Sequence, residues 1–410
     1  MYRDSRGYLI FPIKDSKYMD KKTNNISKDC TYSVNKKNVF RGLHINTFGK
    51  LITCISGHFI DIMVNMETLE VKYYDINPGD QVYCPGNYGH GFLSLEENSV
   101  LSYHCEGFFG SEVGGLLNFK DLIINIKLPI PDTDIIINEK DSTAPFLHFD
   151  YFLLGSKGFI GSSILNELKK QGKTVHCIQE RMEDIKKIKK LIEFYKPKYL
   201  INCAGLTGTP NTTWCNTHQR ETLMTNVINQ INILNLCNEY SVHCTLIGSG
   251  AIFKYSYFQK FSTDKGDLND ESNYYSKCRI ILEEMVKHYK NYMLLRINYP
   301  LSGDFKNEKN LIFKLSKYES IENISLSVTN LNSMCPLIPK MIENNETGIF
   351  NFVNSGQLNM VDLFNKIKTK FDLSINKSII ETGRVSIKLF PDKLEKYNIE
   401  EINSSLNKIF

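Results

Sequence analysis

The chain has 410 residues, 23% charged and 42% hydrophobic, with a formal net charge of +4. That length predicts two or three domains and excludes a small binding module, and the composition excludes global disorder. Residues 1–146 carry 15 basic against 18 acidic groups and the remainder 34 against 27, so neither part has the basic stripe of a nucleic-acid binder. The 11 cysteines are scattered, with no C-x-x-C pair and no apolar segment after Met1. They read as thiols of a reducing, cytoplasmic compartment, not as a disulfide framework or a zinc site. No run approaches the roughly 18 apolar residues of a membrane span, so no membrane and no nucleic acid is expected as a partner.

Residues 1–128 read as β. Leu51–Ile55, Phe59–Val64, Val71–Ile76 and Val100–His104 alternate or are apolar, and Ser56-Gly57, Asn77-Pro78-Gly79-Asp80 and Cys84-Pro85-Gly86-Asn87 punctuate them. Many short strands with such turns predict a barrel or jelly roll. Residues 129–148, with Pro129, Pro131, Asp132, Asp134 and Ala144-Pro145, read as a last strand or arm leading into a linker. From Asp150 the pattern alternates strand and helix. Strands are expected at Tyr151–Leu154, Thr174–Ile178, Tyr199–Cys203 and Cys244–Ile247, and helices at Phe159–Gln171, Asp184–Phe194 and Thr222–Glu239. This predicts an α/β Rossmann-type parallel sheet covered on both faces, followed by a small carboxy-terminal substrate lobe. The expected division is 1–146 and 150–410.

Gly155-Ser156-Lys157-Gly158-Phe159-Ile160-Gly161 follows the first of these strands and opens the first helix. Gly155 permits a tight turn, Gly158 lets the backbone approach a pyrophosphate, and Gly161 allows close helix–sheet packing. After the second strand, Glu180 suits a ribose 2′-OH and NADH, whereas Arg181 suits a 2′-phosphate and NADPH. Both remain open, with the balance toward NADPH. The G-x-x-G-x-x-G spacing resembles that of the extended short-chain dehydrogenases, and the resemblance implies a Tyr to protonate the carbonyl oxygen, a Ser or Thr to position it and a cation, normally lysine, that favours the tyrosine anion. Ser249 ends the fourth strand and Tyr275 opens a later helix. The cation four residues on is Arg279 where a lysine is expected, and Lys277, two residues on, points elsewhere.

Cys203-Ala204-Gly205-Leu206-Thr207-Gly208-Thr209-Pro210-Asn211, Trp214-Cys215, His218, Glu221-Thr222 and Thr225-Asn226-Val227 resemble the nucleotide-rhamnose synthase/epimerase-reductases. Arg296, Pro300-Leu301, Asn310-Leu311-Ile312, Lys314 and Gly348–Phe352 extend that resemblance across about 151–400, and dTDP-4-dehydrorhamnose reductases are similar too. The resemblance implies an extended short-chain dehydrogenase with Ser249, Tyr275 and Arg279 in the catalytic places. It implies cofactor contacts from the glycine loop, Arg181, Ala204 and Gly205, and substrate contacts from Thr207, Asn226 and Lys314. The family's epimerising cysteine falls at Ala251, so another element has to supply epimerisation.

Upstream, Asp4-Ser5-Arg6-Gly7-Tyr8, Asn38-Val39-Phe40-Arg41-Gly42-Leu43-His44, Gly49-Lys50-Leu51, Gly89-His90-Gly91-Phe92 and Lys140-Asp141-Ser142 resemble dTDP-4-dehydrorhamnose 3,5-epimerase, a cupin-type jelly roll. A 4-keto group acidifies C3–H and C5–H, so a base must take a proton and a cation must hold the enolate. The resemblance makes His44 the base, oriented by Asp141, and Lys50 the enolate stabiliser. Arg6, Arg41 and His90 then contact substrate. The run after His44 is Ile45-Asn46-Thr47, with no second His, so no metal is expected. The family's proton-donating tyrosine is expected where this chain has Phe108-Phe109, which leaves Tyr103 or water in that role, or inversion at C3 alone.

Together these features predict a bifunctional enzyme acting on a UDP- or dTDP-linked 4-keto-6-deoxyhexose. It epimerises at C3 and C5, or C3 only, and then reduces C4 with NADPH or NADH, as in rhamnose or a related deoxysugar synthesis. The family analogy implies a homodimer. Two alternatives stand beside this: an epimerase with an impaired, nucleotide-binding reductase domain, and a non-catalytic sugar-nucleotide binding protein.

Overall fold

A computed structural model describes residues 2–4, 7–13, 29–107, 113–209, 211–253, 260–261, 273–372, 377–382 and 388–410. The chain forms two compact units, Met1–Leu147 and His148–Phe410. The 11 cysteines are thiols, not disulfides. Among the described residues no helix is long and apolar enough to cross a membrane, and no group of three or more His, Cys, Asp or Glu side chains is placed to hold a metal.

The first unit is antiparallel β. Its strands are β1 Tyr2–Asp4, β2 Gly7–Ile13, β3 Asp29–Asn35, β4 Phe40–Asn46, β5 Lys50–Ser56, β6 Phe59–Asn65, β7 Val71–Ile76, β8 Gln81–Cys84, β9 Tyr88–Ser94, β10 Ser99–Cys105 and β11 Val113–Leu116. They build one sheet in the order β1-β2-β3-β10-β5-β8 and a second in the order β11-β4-β9-β6-β7. Alternation sets what each face carries. Ile52, Cys54, Phe59, Met63, Phe92 and Leu101 make one apolar cluster, with Tyr103 packed against it. The opposite register, Phe40, Leu43, Ile62, Val64 and Leu93, packs instead on Leu117, Phe119 and Ile124.

The stretch 129–148, expected as a last strand or arm leading into a linker, is an arm of this unit up to Leu147. Ile136 bridges Val39, its carbonyl accepts from Phe40 N–H and its own N–H donates to Asn38 O. Ile130, Ile135, Ile137 and Leu147 cover the same apolar cluster. A one-turn helix, α1 Glu139–Ser142, follows, capped by the Asn138 side chain. The prolines and acids of this stretch are turn residues of a segment held by its isoleucines, which is why composition alone suggested a linker.

The second unit is a parallel sheet of β12 Tyr151–Leu154, β13 Val175–Ile178, β14 Tyr199–Asn202, β15 His243–Ser249, β16 Tyr292–Ile297 and β17 Gly348–Asn351. The spatial order is β13-β12-β14-β15-β16-β17. β12 and β15 are buried along their whole length, as a sheet covered on both faces requires. Helices α2 Phe159–Lys170 and α3 Ile185–Tyr195 come first. The expected long helix is α4 Gln219–Leu223 and α5 Asn229–Glu239, joined by a π-helical turn at Met224–Ile228. α6 spans Tyr274–Val286, and α7 Leu311–Lys317 opens the carboxy-terminal lobe. Leu311, Ile312, Leu326, Leu363, Ile367 and Leu406 give that lobe its own core. Strand order reverses between β12 and β14, and their carboxyl ends bound the crevice where ligands bind in open α/β sheets.

Candidate active sites

In the first unit, His44 on β4 and His90 on β9 are cross-strand partners, next to a register shift between Arg41 and His44. His44 Nε2 donates to Asp141 Oδ1 at 2.9 Å, and Gly42 N–H donates to Asp141 Oδ2 at 3.2 Å. Asp141 is 1% exposed while the His44 side chain is 39% exposed. The carboxylate is therefore fixed and hidden, while the His44 ring is partly exposed and its Nδ1 has no protein partner among the described residues. Gly42 has φ +128°, and a Cβ there would stand 2.6 Å from Gly91 Cα, so this approach requires glycine.

His90 is buried, and its Nε2 donates to Asp61 Oδ2 at 2.7 Å. Burial holds its pKa below 6.5 despite Asp61, with the nearby Lys50 and His44 charges acting in the same direction as burial. Below the ordinary histidine value the unfolded chain takes up a proton that folded His90 resists. The first unit should therefore lose stability as the pH falls from about 6.5, on the order of 3–5 °C in melting temperature per pH unit. Thermal melts between pH 7.5 and 5 check this, and His90→Asn should flatten the dependence.

Lys50 lies between Cys84 of β8 and Cys105 of β10 in register. It is 6% exposed. Burial lowers its pKa from the usual lysine value, against the pull of Cys84, Cys105 and Asp61, while burial pushes both thiols up to about 11. Near neutral pH both thiols are uncharged, so of these groups Asp61 is the anion acting on Lys50, and its Oδ2 is taken by His90.

A polar chain then runs to Tyr103. Arg41 Nε donates to Asn35 Oδ1 at 2.8 Å, Asn35 Nδ2 donates to Ser33 Oγ at 3.1 Å, and Ser33 Oγ lies 3.2 Å from the Tyr103 hydroxyl. Arg41 has only donors, so the Asn35 carbonyl must face it and its amide must donate onward. Ser33 Oγ, which keeps a second acceptor site, can then donate to the Tyr103 oxygen or accept from its hydroxyl. Burial raises the Tyr103 pKa, opposed by Ser33 and Arg41. Its ring stands edge-on to His90, with centroids 6.4 Å apart. Asp61, Ser33 and Asn35 were missed in the sequence. Asp61 left a signal, being a charge in the same register as Phe59 and Met63. Arg6, Phe108 and Phe109 lie outside the described residues.

In the second unit, Gly155 follows β12 with φ +72°, and a Cβ there would stand 2.6 Å from Ala204 N. A Cβ on Gly161 would stand 2.1 Å from Gly155 O. Gly158 caps α2 without any side-chain bond, so the first amides of the helix, at Phe159 and Ile160, stay open to an anion. Ser156 is buried and Lys157 exposed. Arg181 is exposed beyond β13, and Glu180 half-buried. The loop across the crevice is held by amides: Asn202 Oδ1 accepts from Ala204 N, and Gln230 Nε2 donates to Ala204 O at 2.8 Å. This cradle, with backbone donors and no room for side chains, fits a dinucleotide diphosphate.

Ser249 ends β15, and its Oγ accepts from Ala251 N at 3.1 Å, leaving its proton for another acceptor. Tyr275 is buried in the first turn of α6. Arg279, one turn on, donates from Nη1 to Ile247 O at 3.1 Å. Its guanidinium carbon stands 5.2 Å from the Tyr275 ring centre, and a Cβ on Gly205 would meet its Nη2 at 3.0 Å. Ser249, Tyr275, Arg279 and Gly205 thus gather at the carboxyl edge of β14 and β15, while Lys277 is exposed. Asn226 is not placed to hold a ligand. It is fully buried, its Oδ1 accepts from Leu206 N and its Nδ2 donates to Leu206 O, so it fixes the loop before Thr207. Lys314 is half-buried on α7. Thr207 accepts from Lys309, a residue the sequence did not single out.

Residues 1–148 match the family model of dTDP-4-dehydrorhamnose 3,5-epimerase, and residues 151–299 match that of the NAD dependent epimerase/dehydratase family. The chain is 31% identical over 247 residues to a bifunctional dTDP-4-dehydrorhamnose 3,5-epimerase/dTDP-4-dehydrorhamnose reductase of Arabidopsis thaliana, covering 58% of this chain and 82% of that relative. It is 32% identical over 211 residues to a trifunctional UDP-glucose 4,6-dehydratase/UDP-4-keto-6-deoxy-D-glucose 3,5-epimerase/UDP-4-keto-L-rhamnose-reductase of the same plant, covering 50% of this chain and 32% of that longer relative. The crystal structure of the L780 UDP-rhamnose synthase from Acanthamoeba polyphaga mimivirus is similar in fold, with a TM-score of 0.59 at 24% identity over 64% of this chain and 99% of that one.

Proposed function

The chain belongs to the family of bifunctional dTDP-4-dehydrorhamnose 3,5-epimerase/reductases, and from that premise we propose that its first unit epimerises a UDP- or dTDP-linked 4-keto-6-deoxyhexose and its second reduces C4. The observation that carries the first half is His44, held through Nε2 by a buried Asp141 with its ring partly exposed. Nδ1 takes the proton from a carbon beside the ketone, and the Lys50 ammonium holds the enolate oxygen. Tyr103 returns a proton from the facing sheet, so the donor expected to be lost with Phe108-Phe109 has a successor, and both C3 and C5 are open to inversion. Arg41 and His90 hold the sugar nucleotide.

In the second unit Gly155–Gly161, Ala204 and Gly205 would hold the cofactor, and Arg181 would meet its adenosine ribose. That arginine supports NADPH. Bound there, NADPH supplies the hydride that C4 receives. Tyr275 gives its hydroxyl proton to the C4 oxygen, Ser249 donates to the same oxygen, and Arg279 lies beside Tyr275 as the charge that favours its anion. Thr207 and Lys314 contact the sugar nucleotide. Joining the two steps in one chain keeps the keto intermediate at high local concentration. A homodimer, proposed by analogy with both families, is checked by light scattering.

NMR of the product formed from UDP- or dTDP-4-keto-6-deoxyglucose and NADPH in deuterated water tests the whole reading. Deuterium at C3 and C5 with a reduced C4 is expected. Absence of both deuterium uptake and NADPH oxidation, with either nucleotide, overturns it and leaves a binding protein.

A further inference from the structure

Tyr275, Arg279 and Glu283 stand four apart on the buried face of α6. Arg279 is 5% exposed and Glu283 1%. Long side chains of a helix lean toward its amino end, so Glu283 is directed at the turn that carries Arg279. Arg279 nevertheless forms no ion pair among the described residues. It donates to Ile247 O and lies against the Tyr275 ring.

Glu283 is held instead by Arg296 of β16. Arg296 Nη2 donates to Glu283 Oε2 at 2.7 Å, and its Nε donates to Oε1 at 3.0 Å. Its Nη1 donates to Asn351 Oδ1 on β17 at 3.1 Å. The guanidinium carbon stands 5.0 Å from the ring centre of Phe253, in the stretch that follows Ser249. Arg296 is in register with Gly248, next to the Ile247 carbonyl that anchors Arg279. Two buried arginines thus neighbour one carboxylate, one along the helix and one on the sheet, and the second takes both oxygens. Burial pushes the Glu283 carboxyl up, and Arg296 pulls it back down. A buried ion pair stabilises a fold little more than apolar side chains of the same volume, so this one calls for another role. The other described elements packed on α6 bring no competing charge inward. Arg220 and Glu221 of α4 and Glu239 of α5 are exposed, and Lys287 pairs with Glu284 at the surface. The turn Thr212–Asn216 brings the Cys215 thiol near Cys278, and β16 brings the Tyr292 phenol near Glu283.

We infer that Arg296 and Glu283 are positioning residues of the reductase: by taking both oxygens of Glu283, Arg296 keeps that carboxylate off Arg279, whose charge is thereby left to Tyr275. This rests on the reductase reading of the second unit and adds a residue pair to it. Without Arg296 the buried carboxylate has Arg279 one turn away on its own face. Pairing there would draw the fork from the Tyr275 ring and cancel its charge.

Reduction needs the Tyr275 proton in place, so the rate falls on the alkaline side as that proton is lost. A positive charge beside the ring moves this limb to lower pH. Full-length Arg296→Met should lower the single-turnover rate of NADPH oxidation on pre-epimerised substrate about tenfold and move the limb up by about one pH unit, with substrate affinity little changed. Arg296→Met/Glu283→Gln has no loose carboxylate and should regain most of the rate and the wild-type limb. Glu283→Gln alone should move the limb down, because both guanidiniums then act unopposed. These last two variants decide the matter if circular dichroism shows that Arg296→Met does not fold. A double variant as impaired as the single one, or limbs that stay at the wild-type pH in every variant, makes the pair a tie between helix and sheet and overturns the inference alone. A wild-type chain that oxidises no NADPH sinks the reductase reading, and the inference with it.

Discussion

His44→Ala should stop solvent deuterium from entering the keto sugar, lowering the epimerisation rate about 10²–10⁴-fold, the range a positioned general base commands. The effect is large because nothing else described in the first unit can replace the base. His90 is neutral and committed to Asp61 through Nε2, and Lys50 is needed as a cation. Asp141→Asn is the sharper test of the pairing. Asp141 accepts from both His44 Nε2 and Gly42 N–H, whereas an asparagine has one acceptor oxygen, so an amide N–H would confront one of those donors. That variant should fall between wild type and His44→Ala. In both variants NADPH oxidation on a pre-epimerised substrate should persist, because the second unit is unaltered. Deuterium exchange at the wild-type rate in His44→Ala would remove the proposed base from the mechanism.

The parts of each site that were legible in the sequence are those where one residue type meets a local requirement. Gly155 and Gly161 answer to backbone approach within their own turn, and Ser249 and Tyr275 sit where a strand ends and a helix begins. Periodicity gave both sheets because period-2 alternation in one unit and buried strand runs in the other are local patterns. Residues 129–148 were legible only as a last strand or arm, because the isoleucines that bind that stretch to the first unit are spaced irregularly between turn residues. Asn226 was misassigned because an amide can bind a ligand or a backbone, and only the fold shows Leu206 using both of its ends. Asp61, Ser33 and Lys309 act through partners 29, 70 and 102 positions away, separations at which a single sequence carries no pairing information.

Tyr275→Phe should lower NADPH-dependent reduction by about 10²–10⁴-fold without impairing deuterium exchange, since it removes the proton that the C4 oxygen receives and nothing that holds the substrate. Arg279 then decides between a reductase and a nucleotide-binding scaffold. A lysine at this place would be a mobile point charge. Arginine is a planar fork, here anchored by Nη1 on Ile247 O and lying 5.2 Å over the Tyr275 ring. Its Nε is buried without a hydrogen-bond partner among the described residues, a cost that a fork kept only for packing would not explain. In the proposed mechanism the charge favours the tyrosine anion formed as the proton leaves, so Arg279→Met should cost about 10²-fold in kcat, with KM little changed. Arg279→Lys should keep most of the activity. Stopped-flow NADPH oxidation on pre-epimerised substrate measures all three variants. If the wild-type chain oxidises no NADPH and Arg279→Lys does, the fork disables the site rather than serving it, and the second unit is a nucleotide-binding scaffold attached to an epimerase.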